Sequence, residues 1–209
     1  WDQLARETGV EYDVQVVGGI AYVAAEYGGL QIVDVSNPAA PHLLGQYSIT
    51  AYDLSVANGV VYIATGDSYN QFVSVDVHDP THPTLRDNYG FDPNFGLSTG
   101  VQVVGNLAYI ASSRSLIVVD VTTPRIGYPP YYVAYELPHQ VKDVFVAGNR
   151  AYVTSYYGDL YIFDVSDPQH PQLLFDYDTP GNSWDVRVVG SRAYVADGLR
   201  GLLVLNVAA

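Results

Sequence analysis

The chain has 209 residues, with 9 Lys and Arg against 22 Asp and Glu, a formal charge of −13, and neither cysteine nor methionine. At 48% hydrophobic and 15% charged residues it can bury a sizeable core, which excludes a disordered chain. Without cysteine there is no disulfide framework, thiolate metal site or Cys nucleophile, and the acidic balance speaks against a phosphate backbone as partner.

Taken from the start of the chain, QLARETGVEYD aligns with the later LLGQYSITAYD, Leu4 opposite Leu44 and Asp13 opposite Asp53. Residues 1–9 therefore read as an outer strand without inner strands of its own. YDVQVVGGIAYVA then begins at Tyr12, and its Val, Ile and Tyr residues alternate with period two around Gly18-Gly19, the signature of two strands joined by a tight hairpin. GLQIVDVSNP supplies a third strand that ends where a short polar side chain can cap the turn before Pro38. PAAPHLLGQY supplies a fourth.

The same order returns from Tyr52 (YDLSVANGVVYIA), Thr99 (TGVQVVGNLAYIA), Lys142 (KDVFVAGNRAYVT) and Trp184 (WDVRVVGSRAYVA). The third strands are FVSVDVHDP, LIVVDVTTP, DLYIFDVSDP and GLLVLNVAA. Five units in 209 residues average about 42 each, the length of a four-stranded propeller blade. The last unit stops after its third strand, and residues 1–9 are the strand it lacks. The expected fold is all-β: a single five-bladed β-propeller over 1–209, with blades starting near 12, 52, 99, 142 and 184. Pairing the N-terminal strand into the last blade would close it and remove two sheet edges. No apolar run approaches the roughly 18 residues of a membrane span, so no membrane insertion is expected. A start at Trp1 without Met fits a processed or trimmed product.

The motifs L-x-I-V-D-V-S-x-P, D-V-x-V-x-G and A-Y-V-A resemble those of the LVIVD repeat family, propellers of bacterial and archaeal surface or secreted proteins. The third and fifth units depart from the pattern: Gly100 replaces the Asp of D-V-x-V-x-G, the P-x-x-P that opens PAAPHLLGQY is expanded in the third unit, and Asn206 replaces the Asp of L-x-I-V-D-V-S-x-P. The resemblance implies the fold and an extracellular or cell-surface setting. It implies no reaction.

Loop lengths point to a working face. The Asp-position lies nine residues before the A-Y-V tyrosine in every unit, as from Asp13 to Tyr22, whereas the second-to-third-strand spacing runs 12, 14, 11, 12 and 12. The crossovers between units run 6, 11, 8 and 8. The variable end is where specificity is expected on a rigid scaffold. The crossovers deliver Tyr12, Tyr52, Lys142 and Trp184 to the channel mouth, followed by Asp13, Asp53, Asp143 and Asp185. Arg187 lies farther along the last inner strand, Tyr156 in a second-to-third-strand loop, Phe95 in the longest crossover and His139 in ELPHQVKD. His42, His82 and His170 sit at the invariant end.

Aromatic faces for stacking with Asp and Arg for directional hydrogen bonds suit a saccharide, a small organic ligand or a peptide. The expected ligand-binding residues are Tyr12, Tyr52, Asp53, Phe95, Lys142, Tyr156, Trp184 and Arg187. The alternatives are an enzyme of glycosidase or polysaccharide-lyase type with catalytic His139, Asp143 and Asp185, and a protein-interaction scaffold. No cofactor is expected. Calcium is the possible exception, and Asp13, Asp53, Asp143 and Asp185 are its candidate ligands. A residue present in four of five copies is also what the repeat itself would need, as an acceptor for backbone N–H groups. Gly100, beside the longest crossover, would leave room at the mouth for that loop to fold over.

Overall fold

The computed structural model describes residues 12–67, 70–92, 96–124, 126–127 and 132–208. The N-terminal strand expected at 1–9 lies outside them. The protein is all-β, a five-bladed β-propeller. Its residues fall into two compact units, one within 1–98 and 123–129, the other within 99–122 and 130–209.

The first unit holds two blades. In blade 1, β1 (Asp13–Val17), β2 (Ile20–Ala24), β3 (Leu30–Asp34) and β4 (His42–Tyr47) pair in sequence order. Blade 2 repeats this with β5 (Asp53–Ala57), β6 (Val60–Ala64), β7 (Phe72–Asp76) and β8 (Thr84–Tyr89). Its outer edge gains β12 (Ile126–Gly127), which runs parallel to β8 with Ile126 opposite Asn88. That strand was not legible in advance. The expanded turn after Pro124 supplies it, covering an edge that would otherwise be open.

The second unit holds three blades. Blade 3 orders β9 (Ser98–Val104), β10 (Leu107–Ser112), β11 (Ser115–Asp120) and β13 (Tyr132–Glu136), with Ser98 itself on the first unit's side. Blade 4 is β14 (Val141–Ala147), β15 (Arg150–Ser155), β16 (Asp159–Asp164) and β17 (Gln172–Asp178). Blade 5 shows β18 (Asp185–Val189), β19 (Arg192–Ala196) and β20 (Leu202–Asn206) among the described residues.

The turn chemistry behaves as the sequence implies. The inner hairpins have two-residue loops, and Asn58-Gly59 takes φ of 51° and 72°, the double positive φ that a right-twisted hairpin favours. At each third-strand end the Asp carboxylate accepts the N–H two residues on, as from Ser36 to Asp34 at 2.8 Å and from Ser166 to Asp164 at 2.8 Å. Asn206 does the same for Ala208.

Apolar alternation builds the cores. In the first unit Leu30, Ile32, Leu54, Val61 and Ile63 are fully enclosed. In the second, Leu116, Val153, Tyr161 and Phe163 pack together. Tyr22, Tyr62, Tyr109 and Tyr152 are buried, as their place in every second strand implies. Burial raises the hydroxyl pKa of Tyr22 and Tyr109.

Candidate functional site

The rim of the second unit is shaped by an irregularity in β14. Val144 pairs with Val153, but Val141 pairs with Ser155, so one extra residue stands on β14 where Lys142 and Asp143 lie. A bulge re-aims the side chains it carries. Here the Asp143 N–H leaves the ladder for the Thr154 hydroxyl, 3.1 Å away. Lys142 Nζ comes to lie 5.6 Å from the Tyr156 ring and 5.8 Å from the Trp184 ring. The two rings meet edge to face, with centroids 5.4 Å apart at 77°. Trp184 keeps 45% of its surface exposed. Behind the indole stands Gly198, where an added Cβ would come to 3.3 Å from the ring nitrogen. Three residues expected from sequence at the mouth are thus brought together.

One step along the same strands, Arg187 donates to Asp185 at 2.7 Å and to Asp143 at 3.2 Å, and its guanidinium lies 5.5 Å from the Phe145 ring. Asp143 also accepts the Val186 N–H at 3.3 Å. Burial, then the hydrogen bond and negative charge of Asp185, push the Asp143 carboxyl up to about 7 against the pull of Arg187.

His139 sits on the outer side of the same rim. Its Nδ1 lies 2.7 Å from Asp159, and Tyr161 Oη is 3.4 Å from that nitrogen. Ser155 Oγ donates to the same Asp159 oxygen at 2.6 Å. Burial would raise the Asp159 carboxyl, but the hydrogen bonds from Ser155, His139 and Tyr161 outweigh it and hold it below its ordinary value. Tyr157 packs against the imidazole at 5.4 Å. The arrangement fixes one imidazole nitrogen and leaves the chemistry of the ring to Nε2. Sequence reasoning missed Asp159. The signal was there: Gly29, Gln71, Ser115 and Gly201 hold the equivalent position, five residues before the last residue of the third strand, and only this blade has a carboxylate.

The first unit carries the other expected mouth residues. The Tyr12 and Tyr52 rings stand 4.9 Å apart at 49°, and Tyr52 Oη is 3.4 Å from Glu26. Asp53 is half-buried at the start of β5. Asp13 accepts the Leu54 N–H at 3.4 Å, and Gln15 grips the same strand twice, through Leu54 O at 3.0 Å and Val56 N at 2.9 Å. Gln102 repeats one half of this grip in the second unit, its side-chain oxygen accepting the Val146 N–H. Asp13 and Asp143 therefore act as repeat residues, tying β1 to β5 and β14 to β18. Among the described residues no three His, Asp or Glu side chains converge on one point where a cation could sit.

Two expectations at the third blade do not hold. Gly100 opens no room: a Cβ there would come to 2.7 Å from Asp143 Cα and 3.0 Å from Lys142 O. The neighbouring strand fills the space, and Thr99 Oγ1 bonds Lys142 O at 2.9 Å. Nor does the start of the longest crossover lie over the mouth: its Phe91 is 1% exposed, with its N–H on the Gln71 side-chain oxygen. Phe95 lies outside the described residues. At the opposite end, His82 and His170 bond Asp79 and Asp167 within their own turns at 3.1 and 2.9 Å.

Structural comparison bears on the fold alone. The computationally designed Ika8 protein superposes with a TM-score of 0.67 at 15% identity, over 92% of this chain and 57% of that one. The β-propeller domain of Cps50 (Swd1) from Myceliophteria thermophila gives 0.66 at 16%, over 90% and 62%. PorZ, a bacterial surface component of the type-IX secretion system of Porphyromonas gingivalis, gives 0.61 at 16%, over 95% of this chain and 25% of PorZ. The chain thus spans less than two thirds of each of these. No curated protein matches the sequence. The LVIVD repeat matches residues 9–49, 50–90, 96–124, 139–179 and 180–208, which covers all five blades. Proteins built of this repeat are typically extracellular or at the cell surface. With most of its length matched, the chain belongs to the LVIVD-repeat family.

Proposed function

We propose that the protein is an extracellular or surface binding propeller that takes a saccharide at the rim formed by Lys142, Tyr156 and Trp184. The observation that carries this reading is the Trp184 indole, half-exposed and braced edge-on by Tyr156 with the Lys142 ammonium beside both rings. An indole face takes the apolar face of a sugar ring, and the ammonium takes a hydroxyl or carboxylate at its edge. The rim aspartates support binding over hydrolysis, because Asp13 and Asp143 are engaged by backbone N–H groups of the following strand. A glycan array followed by calorimetry on its best ligand tests this. Trp184→Ala should weaken that ligand at least about tenfold, the equivalent of ~1.4 kcal/mol, and leave the melting temperature in place. Full affinity in Trp184→Ala would refute the assignment.

A second reading has one observation in its favour, the 2.7 Å contact of His139 Nδ1 with Asp159. A dyad of this kind directs Nε2 outward as a general base, suited to the proton abstraction of a polysaccharide lyase. Release of unsaturated product from a uronate polymer, abolished by His139→Ala and by Asp159→Asn, would establish it. Turnover that survives His139→Ala would end it.

A further inference from the structure

We propose that the first unit holds a second small-molecule site, a lateral cavity on blade 2 that takes a neutral polyhydroxy ligand, either a single sugar ring or a small polyol. The cavity measures about 210 Å³. At about 30 Å³ of liquid volume per water it has room for roughly seven, so it is larger than a structural-water niche and smaller than a drug-sized pocket. It lies where the crossover from blade 1, residues 47–50, meets the β6–β7 loop and the outer strands of blade 2. That loop belongs to the longest second-to-third-strand connection in the chain, 14 residues from Tyr62 to Asp76 against 11 or 12 elsewhere. The cavity therefore exists where blade 2 departs from the repeat.

Its lining selects the ligand's chemistry. Ile49, Val73 and Leu85 supply apolar surface, and Ser48, Thr50 and Asn88 supply hydroxyls and an amide. Among the described residues no Lys, Arg or His lines it, so none of them would hold an anion there. The one carboxylate among the described lining residues, Asp67, accepts the Asn70 N–H at 3.1 Å within its own loop. Asn88 supplies the independent pointer. Its Nδ2 donates to Asn70 Oδ1 at 2.8 Å, while its Oδ1 is shielded from solvent without any donor. A buried amide oxygen left unpaired is costly, and a small rotation of the Asn88 side chain would bring it to a hydroxyl of a ligand in the cavity, which would supply the missing donor. Apolar C–H faces against Leu85 and Val73, with hydroxyls toward Asn88, Ser48 and Thr50, describe a carbohydrate-like molecule.

This site shares no residue with the Trp184 rim and stands or falls separately. Saturation-transfer NMR on the whole protein would use D-glucose, myo-inositol and glycerol as probes, with acetate and tetramethylammonium as charged controls. Saturable binding of at least one neutral probe is expected, weakened at least tenfold by Leu85→Trp, which fills the cavity, and by Asn88→Ala. Trp184→Ala should leave it unchanged. Leu85 is 41% exposed, so the larger ring can be accommodated, and Asn88→Ala supplies a test that adds no bulk. The proposal is overturned if no neutral probe saturates, which would leave water as the only occupant. It is equally overturned if binding persists in both blade 2 variants, if only a charged control binds, or if Trp184→Ala alone abolishes the signal. That last result would instead support the rim.

Discussion

Asp143 does two things at once. It accepts the Val186 N–H, which joins β14 to β18, and it stands between the negative charge of Asp185 and the guanidinium of Arg187. Its carboxyl is raised from 3.8 to about 7, so between those values the folded protein holds a proton that the unfolded chain has released. The stability this group contributes is therefore complete below about pH 4 and is lost as pH rises through about 7. Asp143→Asn, neutral at every pH, should flatten that part of the curve. Thermal melts of both proteins between pH 5 and pH 8 read it directly: the parent should lose more melting temperature across the interval than the variant. Parallel curves would mean that burial between β14 and β18 does not raise the Asp143 carboxyl. Sequence placed Asp143 at the rim through its position in the repeat. Its altered acidity was not legible, because that depends on Asp185, 42 residues away in sequence, and on how completely β14 and β18 exclude water.

The elements explain which departures from the repeat carry function and which are fitting. Periodicity and hairpin residues made the strand order readable, since each local preference agrees with the blade that contains it. Gly100 was misread because a missing side chain looks the same in sequence whether it leaves a gap or admits a neighbour. In the structure β9 and β14 approach so closely that a Cβ would meet Asp143 Cα at 2.7 Å. Gly100→Asp, which restores the repeat residue, should therefore destabilise the protein by about 1–3 kcal/mol, the usual cost of overpacking. Gln102→Leu, which removes the side-chain grip on Val146, should cost on the order of 1–2 kcal/mol. Urea unfolding measures both, and a Gly100→Asp protein as stable as the parent would show that β9 can yield. The bulge at Lys142 and Asp143 was equally hidden. The nine-residue spacing from Asp143 to Tyr152 matches every other unit, and the extra residue enters before it, between Val141 and Val144.

At the scale of the molecule the dominant feature is charge, 22 acidic against 9 basic side chains. Self-repulsion of that size opposes the compact state and is weakened by any electrolyte, since the screening length falls to about 10 Å at 0.1 M salt. A bound calcium ion would act differently, raising stability in proportion to its own binding rather than to ionic strength. The four repeat aspartates decide between these cases through what occupies their oxygens. Asp13 and Asp143 accept backbone N–H groups from the following strand, and Asp143 and Asp185 are further engaged by Arg187. A cation would have to displace these donors, including a guanidinium, before it gained a full set of ligands. The melting temperature should accordingly rise with sodium chloride from about 10 mM to about 0.15 M, and calcium and magnesium chlorides at matched ionic strength should give the same rise. Chelator should leave it unchanged. A calcium-specific increase that chelator reverses, and that Asp13→Asn or Asp185→Asn removes, would return those aspartates to the role of metal ligands.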